Sequence, residues 1–147
     1  MNTIVLGLDN SKSSQAAARW TASVAAETGA QVVAVHVMAR SELWTFGAFQ
    51  VDVKPIIDEL RRQLKGPWTA PLRKAGVSCT TRFVRGDPAI ELLRVATDMN
   101  ATMLVVGAKN HSAHDLVVGG TAHKIINRST VPVVLVPVPR SGATGKR

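Results

Sequence analysis

The chain has 147 residues, 46% of them hydrophobic, and a mean hydropathy of +0.11, which allows one domain with a buried core and excludes general disorder. A formal charge of +8 favours anionic ligands, but aromatic residues are only 4% of the chain, too few to build a base-stacking surface for nucleic acid. The one cysteine, Cys79, excludes a disulfide framework and a cysteine-built metal knuckle, and no apolar run reaches the roughly 20 residues of a membrane span.

The N-terminus carries neither a basic stretch nor a small-residue cleavage site, so a cytoplasmic protein is expected. Residues 4–8 (IVLGL) form a short apolar run of the kind buried in parallel sheets. Asp9, Asn10 and Ser11 then supply capping groups for a helix over 12–28, with Ala16, Trp20 and Val24 along its apolar stripe and Gly29 closing it. Residues 31–38 (QVVAVHVM) are a second strand. A less regular stretch follows over 39–50, carrying Trp44, Phe46 and Phe49, which either fold back over the next helix or form a lid or partner surface.

A helix over 53–65 presents Ile56, Ile57, Leu60 and Leu64 on one side until Gly66-Pro67 breaks it. A short helix over 68–75 ends at Gly76, and 77–85 is a third strand, less apolar and so near an edge. Asp87 as N-cap with Pro88 at the first helical position opens a helix that runs to Asn100. Residues 102–107 (TMLVVG) form the fourth strand, a polar loop leads to a helix over 120–128, and 132–137 (PVVLVP) is the fifth strand. The folded domain is expected over 1–139, with 140–147 a disordered basic tail.

Strands alternate with helices throughout, which predicts a doubly wound α/β fold: a five-stranded parallel sheet with helices on both faces. Ligands on such sheets bind at the carboxyl ends of the strands where strand order reverses. The loops after strands one and four read Gly7-Leu8-Asp9-Asn10-Ser11 and Gly107-Ala108-Lys109-Asn110, the second followed by nine residues (111–119) and Gly120-Thr121. Glycine lets the backbone turn and approach a ligand closely, and a helix opening at Gly120 offers free N–H groups to a phosphate. Thr121 adds a hydroxyl and Lys109 a positive charge, while Asp9 is suited to accept hydrogen bonds from ribose hydroxyls or an adenine amino group.

This pattern resembles the universal stress protein family, whose ATP-binding members carry G-x2-G-x9-G-[ST] after strand four. The resemblance extends over nearly the whole chain to Pro139. It includes the acid after strand one, the His36-Val37 end of strand two, the Gly86-x-Pro88 helix start and the final PVVLV strand. It implies an adenine nucleotide alpha hydrolase-like fold with strand order 3-2-1-4-5. It further implies that Asp9 and the backbone of Gly7 and Leu8 meet the nucleoside, and the Val37 backbone meets adenine. Gly107, Lys109 and Asn110 would line ribose and phosphates, and Gly120, Thr121 and Ala122 would hold the phosphates. ATP with magnesium or manganese bound through the phosphates is the implied cofactor, and a homodimer through 132–137 the implied assembly. The chain departs from the pattern at Asn110, where the family has its second glycine. Asparagine replaces glycine well where positive φ is required, and obstructs or adds a donor where close approach is required.

The expected role is a nucleotide-responsive stress protein with little or no catalysis, weak ATPase activity apart. The alternatives are a cyclic AMP binder and a dimeric interaction module without a nucleotide. The chain has no Walker A loop and no G-x-S-x-G elbow. His36, His111, His114 and His123 fall on a strand, a loop and a helix, a scatter that does not make a metal site.

Overall fold

A computed structural model describes residues 2–110, 116–117 and 119–139, without the side chains of 43–46, 109–110 and 116–117. His111, His114 and the tail 140–147 lie outside the described residues. Five parallel strands, β1 (Thr3–Gly7), β2 (Gln31–Met38), β3 (Cys79–Arg85), β4 (Met103–Asn110) and β6 (Val133–Pro137), lie in the order β3-β2-β1-β4-β6. This is the expected 3-2-1-4-5 sheet. The two-residue β5 (Leu116–Val117) is an unexpected addition, pairing antiparallel with Lys109 and Asn110 at the end of β4.

The sheet's two faces explain its sequence. Ile4, Leu6, Val32, Ala34 and Val105 point to one side, under α1 (Lys12–Thr28), α3 (Lys54–Lys65) and α4 (Ala70–Lys74). Val5, Val33, Val35, Leu104 and Val106 point to the other, under α5 (Pro88–Asp98) and α6 (Gly120–Arg128). Strands buried on both faces need apolar residues at every position, which is why β1, β2 and β4 read as continuous runs. The contact face of α1 is small: Ala16, Ala17, Ala18, Ala22 and Ala25 are buried, so this helix lies close on the sheet. Trp20 and Val24, expected within that face, pack half-buried at its margin.

Strand β3 is an edge, as its weaker hydrophobicity predicted, and Cys79 begins it half-buried. Burial pushes the Cys79 thiol above its ordinary value, which favours its protonated form. The break at Gly66-Pro67 is present as a single 3-10 turn, Pro67–Thr69, between α3 and α4.

One stretch differs from expectation. Residues 39–50 contain a helix, α2 (Arg40–Ala48). Its sequence, RSELWTFGA, mixes polar, aromatic and glycine residues with no apolar stripe, so periodicity gave no signal. Phe49, just past its end, is 76% exposed and does not fold back into the core; the side chains of Trp44 and Phe46 lie outside the described residues.

Candidate functional site

The strand order reverses between β1 and β4, and a cleft of ≈ 290 Å³ opens at the carboxyl ends of the strands there. Gly7, Leu8 and Asp9 after β1, Val37 at the end of β2, Gly107 in β4, and Gly120, Thr121 and Ala122 at the start of α6 all line it. The structure thus gathers eight of the ten expected site residues. Lys109 and Asn110 end β4 with their backbones in register with Val117 and Leu116, and their side chains lie outside the described residues.

The helix N-termini at the cleft differ in one respect. Helix α1 is capped by Ser11, whose hydroxyl accepts from the Ser14 N–H at 3.1 Å. Helix α5 is capped by Asp87, whose carboxylate accepts from the Ile90 N–H at 3.1 Å. Helix α6 has Gly119 at its cap and no side-chain capping bond. Its first intrahelical donor is His123, bonded to the Gly119 carbonyl at 2.9 Å. The N–H groups of Gly120, Thr121 and Ala122 therefore reach the cleft side with no partner among the described residues, at the positive end of the helix dipole.

Asp9 is held rigidly. Its N–H donates to the Ser14 hydroxyl at 2.8 Å, and its Oδ1 accepts from the Ser11 N–H at 2.8 Å. Its Oδ2 has no partner among the described residues, so an exposed acceptor faces ligand or solvent. Glu42 of α2 adds a second carboxylate to the lining, unseen in the sequence because its helix was unseen. Ser13, Ser14, His36 and Pro88 also line the cleft. Neither serine was singled out in the sequence, whereas His36 was marked there by the His36-Val37 end of strand two and not as a lining residue.

The glycines prove unequal. A Cβ on Gly107 would stand 2.5 Å from the Ser13 carbonyl carbon and 2.6 Å from its oxygen. Gly107 is required for the first turn of α1 to lie against β4, whatever else it does. A Cβ on Gly120 would meet nothing within 4 Å among the described residues. Asn110 lies in an extended strand and is absent from the described non-glycine residues with positive φ, Gln50 and Asn100. The need for a left-handed residue at 110 does not arise here.

Among the described residues no group of three histidine, cysteine, aspartate or glutamate side chains could hold a metal, and no helix is long and apolar enough to cross a membrane. His123 bonds Asn127 one turn on, at 3.1 Å.

The profile of the Universal stress protein family matches residues 1–137. The chain belongs to the universal stress protein family. Universal stress protein YxiE of Bacillus subtilis (strain 168) is similar at 28% identity, over 92% of this chain and 98% of that one. Among solved structures, the universal stress protein from Archaeoglobus fulgidus in complex with dAMP aligns with a TM-score of 0.69 at 19% identity, covering 92% and 97% of the two chains. A universal stress protein in complex with cAMP aligns at 0.68 and 23% identity, covering 94% and 98%. At these identities the two structures establish the shared fold.

Proposed function

We propose that this universal stress protein binds an adenine nucleotide, ATP foremost, in the cleft between β1 and β4. The observation that carries the reading is the uncapped start of α6 across the cleft from the fixed carboxylate of Asp9. Three unpartnered N–H groups suit phosphate oxygens, and an acceptor-only carboxylate suits ribose hydroxyls or an amino group. The relatives solved with dAMP and cAMP support the same ligand class. In this reading the backbone of Gly7, Leu8 and Val37 meets the nucleoside, Gly107, Lys109 and Asn110 border ribose and phosphates, and Gly120, Thr121 and Ala122 hold the phosphates. A divalent cation such as magnesium or manganese would be held through the phosphate oxygens and offset their charge. The residues of this chain bind and orient the nucleotide, and among the described ones none is placed as a general base for rapid hydrolysis. The protein acts as a nucleotide-responsive regulator in the cytoplasm, and as a homodimer through 132–137.

Calorimetric titration with ATP, with and without magnesium, tests this. Saturable binding is expected, weakened about tenfold or more by Asp9→Ala and by Gly120→Ala, a loss of roughly 1.4 kcal/mol or more. The Gly120 change is a clean probe because its new Cβ meets no atom of the described residues within 4 Å. Binding unaffected by both substitutions would move the site elsewhere. Cyclic AMP titrated in parallel ranks the two ligands.

A further inference from the structure

His36 is buried at the end of β2, its ring edge-on to Trp68 with centroids 5.2 Å apart and tilted against Phe83 at 5.6 Å. Its Nδ1 lies 2.8 Å from the Leu8 carbonyl oxygen. A carbonyl only accepts, so Nδ1 carries the proton and donates. What makes this bond informative is the rung of the sheet that it stands beside.

The β1–β2 ladder runs through odd-numbered residues of β2. Gln31 N–H donates to Asn2 O at 3.0 Å at one end, and Leu8 N–H donates to Val35 O at 2.8 Å at the other. Even-numbered residues serve β3, as shown by Val32 N–H to Ser78 O and Gly86 N–H to Met38 O. The next rung toward β1 would join the Val37 N–H to the Leu8 carbonyl. Among the described residues no such bond is formed. The imidazole occupies that carbonyl, and Val37 ends its ladder half-buried at the wall of the cleft.

We infer that His36 is a positioning residue: by holding the Leu8 carbonyl it stops the β1–β2 ladder one rung early and leaves the Val37 N–H free as a donor for the cleft's ligand. A buried N–H without a protein partner is costly unless something else accepts from it, and a ring nitrogen of a purine base has the matching chemistry. The ligand half of this inference rests on the nucleotide reading above; the ladder half does not.

Amide hydrogen exchange followed by NMR, with ATP titrations alongside, tests the two halves apart. In the ligand-free protein the Val37 amide is expected to exchange at least tenfold faster than the laddered Val33 and Val35 amides. His36→Leu fills the same space without a donor, so the Leu8 carbonyl turns to Val37, whose amide becomes protected. His36→Asn keeps a donor near the Nδ1 position and leaves Val37 fast even if the smaller side chain lowers the melting temperature. ATP affinity is expected to fall about tenfold in His36→Leu and to recover to within about threefold in His36→Asn. A Val37 amide as protected as Val35 in the unsubstituted protein, or left unchanged by His36→Leu, overturns the inference. Equal ATP affinities of the two variants overturn its ligand half. A protein that binds no ATP but shows the expected exchange pattern supports the ladder role and removes only the nucleotide reading.

Discussion

At the scale of single residues, the glycines of the β4–α6 motif separate packing from binding. Gly107 admits α1 against β4, because any Cβ there would sit inside contact distance of the Ser13 backbone. Backbone yields less readily than a flexible side chain, so Gly107→Ala is expected to destabilise the fold by about 2 kcal/mol or more, in the range of overpacked cores. Gly120→Ala should stay within about 0.5 kcal/mol of the unsubstituted protein, since the added methyl meets nothing within 4 Å among the described residues. Urea denaturation of the two variants checks both figures. Equal destabilisation would mean that Gly120 has a packing role absent from this geometry. The sequence motif alone could not divide the two glycines, because it records a spacing and not which atoms the missing Cβ would have met.

At the scale of elements, legibility followed local chemistry. Helix α5 was readable to the residue at its start because Asp87-Pro88 is both a cap and a preset first turn, and both are present. Helix α6 was readable from Gly120 to Arg128 without such a cap, from the glycine pair that opens it. Helix α2 was not, since nine residues with no apolar stripe give periodicity nothing to detect, and Glu42 of the cleft was lost with it. The β5 pairing was equally invisible, as two residues carry no strand signal. The α5 cap also carries a pH dependence. Asp87 accepts from the Ile90 N–H at 3.1 Å and from Lys124 Nζ on α6 at 3.3 Å. The capping bond chiefly, with Lys124 in support, holds its carboxyl below the ordinary carboxylate range. A lowered folded pKa stabilises the fold above the unfolded pKa, and that gain is lost as pH falls through the folded value. Asp87→Ala should therefore cost about 1 kcal/mol near neutral pH. The gap to the unsubstituted protein should begin to narrow below about pH 4, where the unfolded carboxyl takes up its proton, and should close only once the pH falls through the lowered folded value. Asp87→Asn, which still caps, should remain within about 0.5 kcal/mol at pH 7. Urea midpoints measured at pH 7 and pH 3 decide it; an Ala variant with the same deficit at both would assign the loss to something other than the ionised cap.

At the scale of the molecule, the sheet has two edges of different character. Strand β3 alternates exposed Thr80, Arg82 and Arg85 with partly buried residues, a pattern that discourages a further strand. Strand β6 is apolar and, among the described residues, pairs only with β4. The bond from Leu104 N–H to Pro132 O puts even-numbered residues of β6 in the β4 ladder. Val133 and Leu135 then turn their N–H groups outward, and Pro137 falls on the outward side, where its missing N–H takes nothing from that ladder. An apolar edge with outward donors is the surface on which the proposed homodimer depends. Val133→Pro removes one outward donor without touching the β4 ladder, so it is expected to shift a dimer toward monomer in analytical ultracentrifugation while leaving the melting temperature of the monomer nearly unchanged. Val134→Pro removes an inward donor instead and should unfold the edge, lowering stability by about 3 kcal/mol or more. If Val133→Pro leaves a dimer intact, the two copies meet through some other surface, and β6 is a protected edge of a different kind.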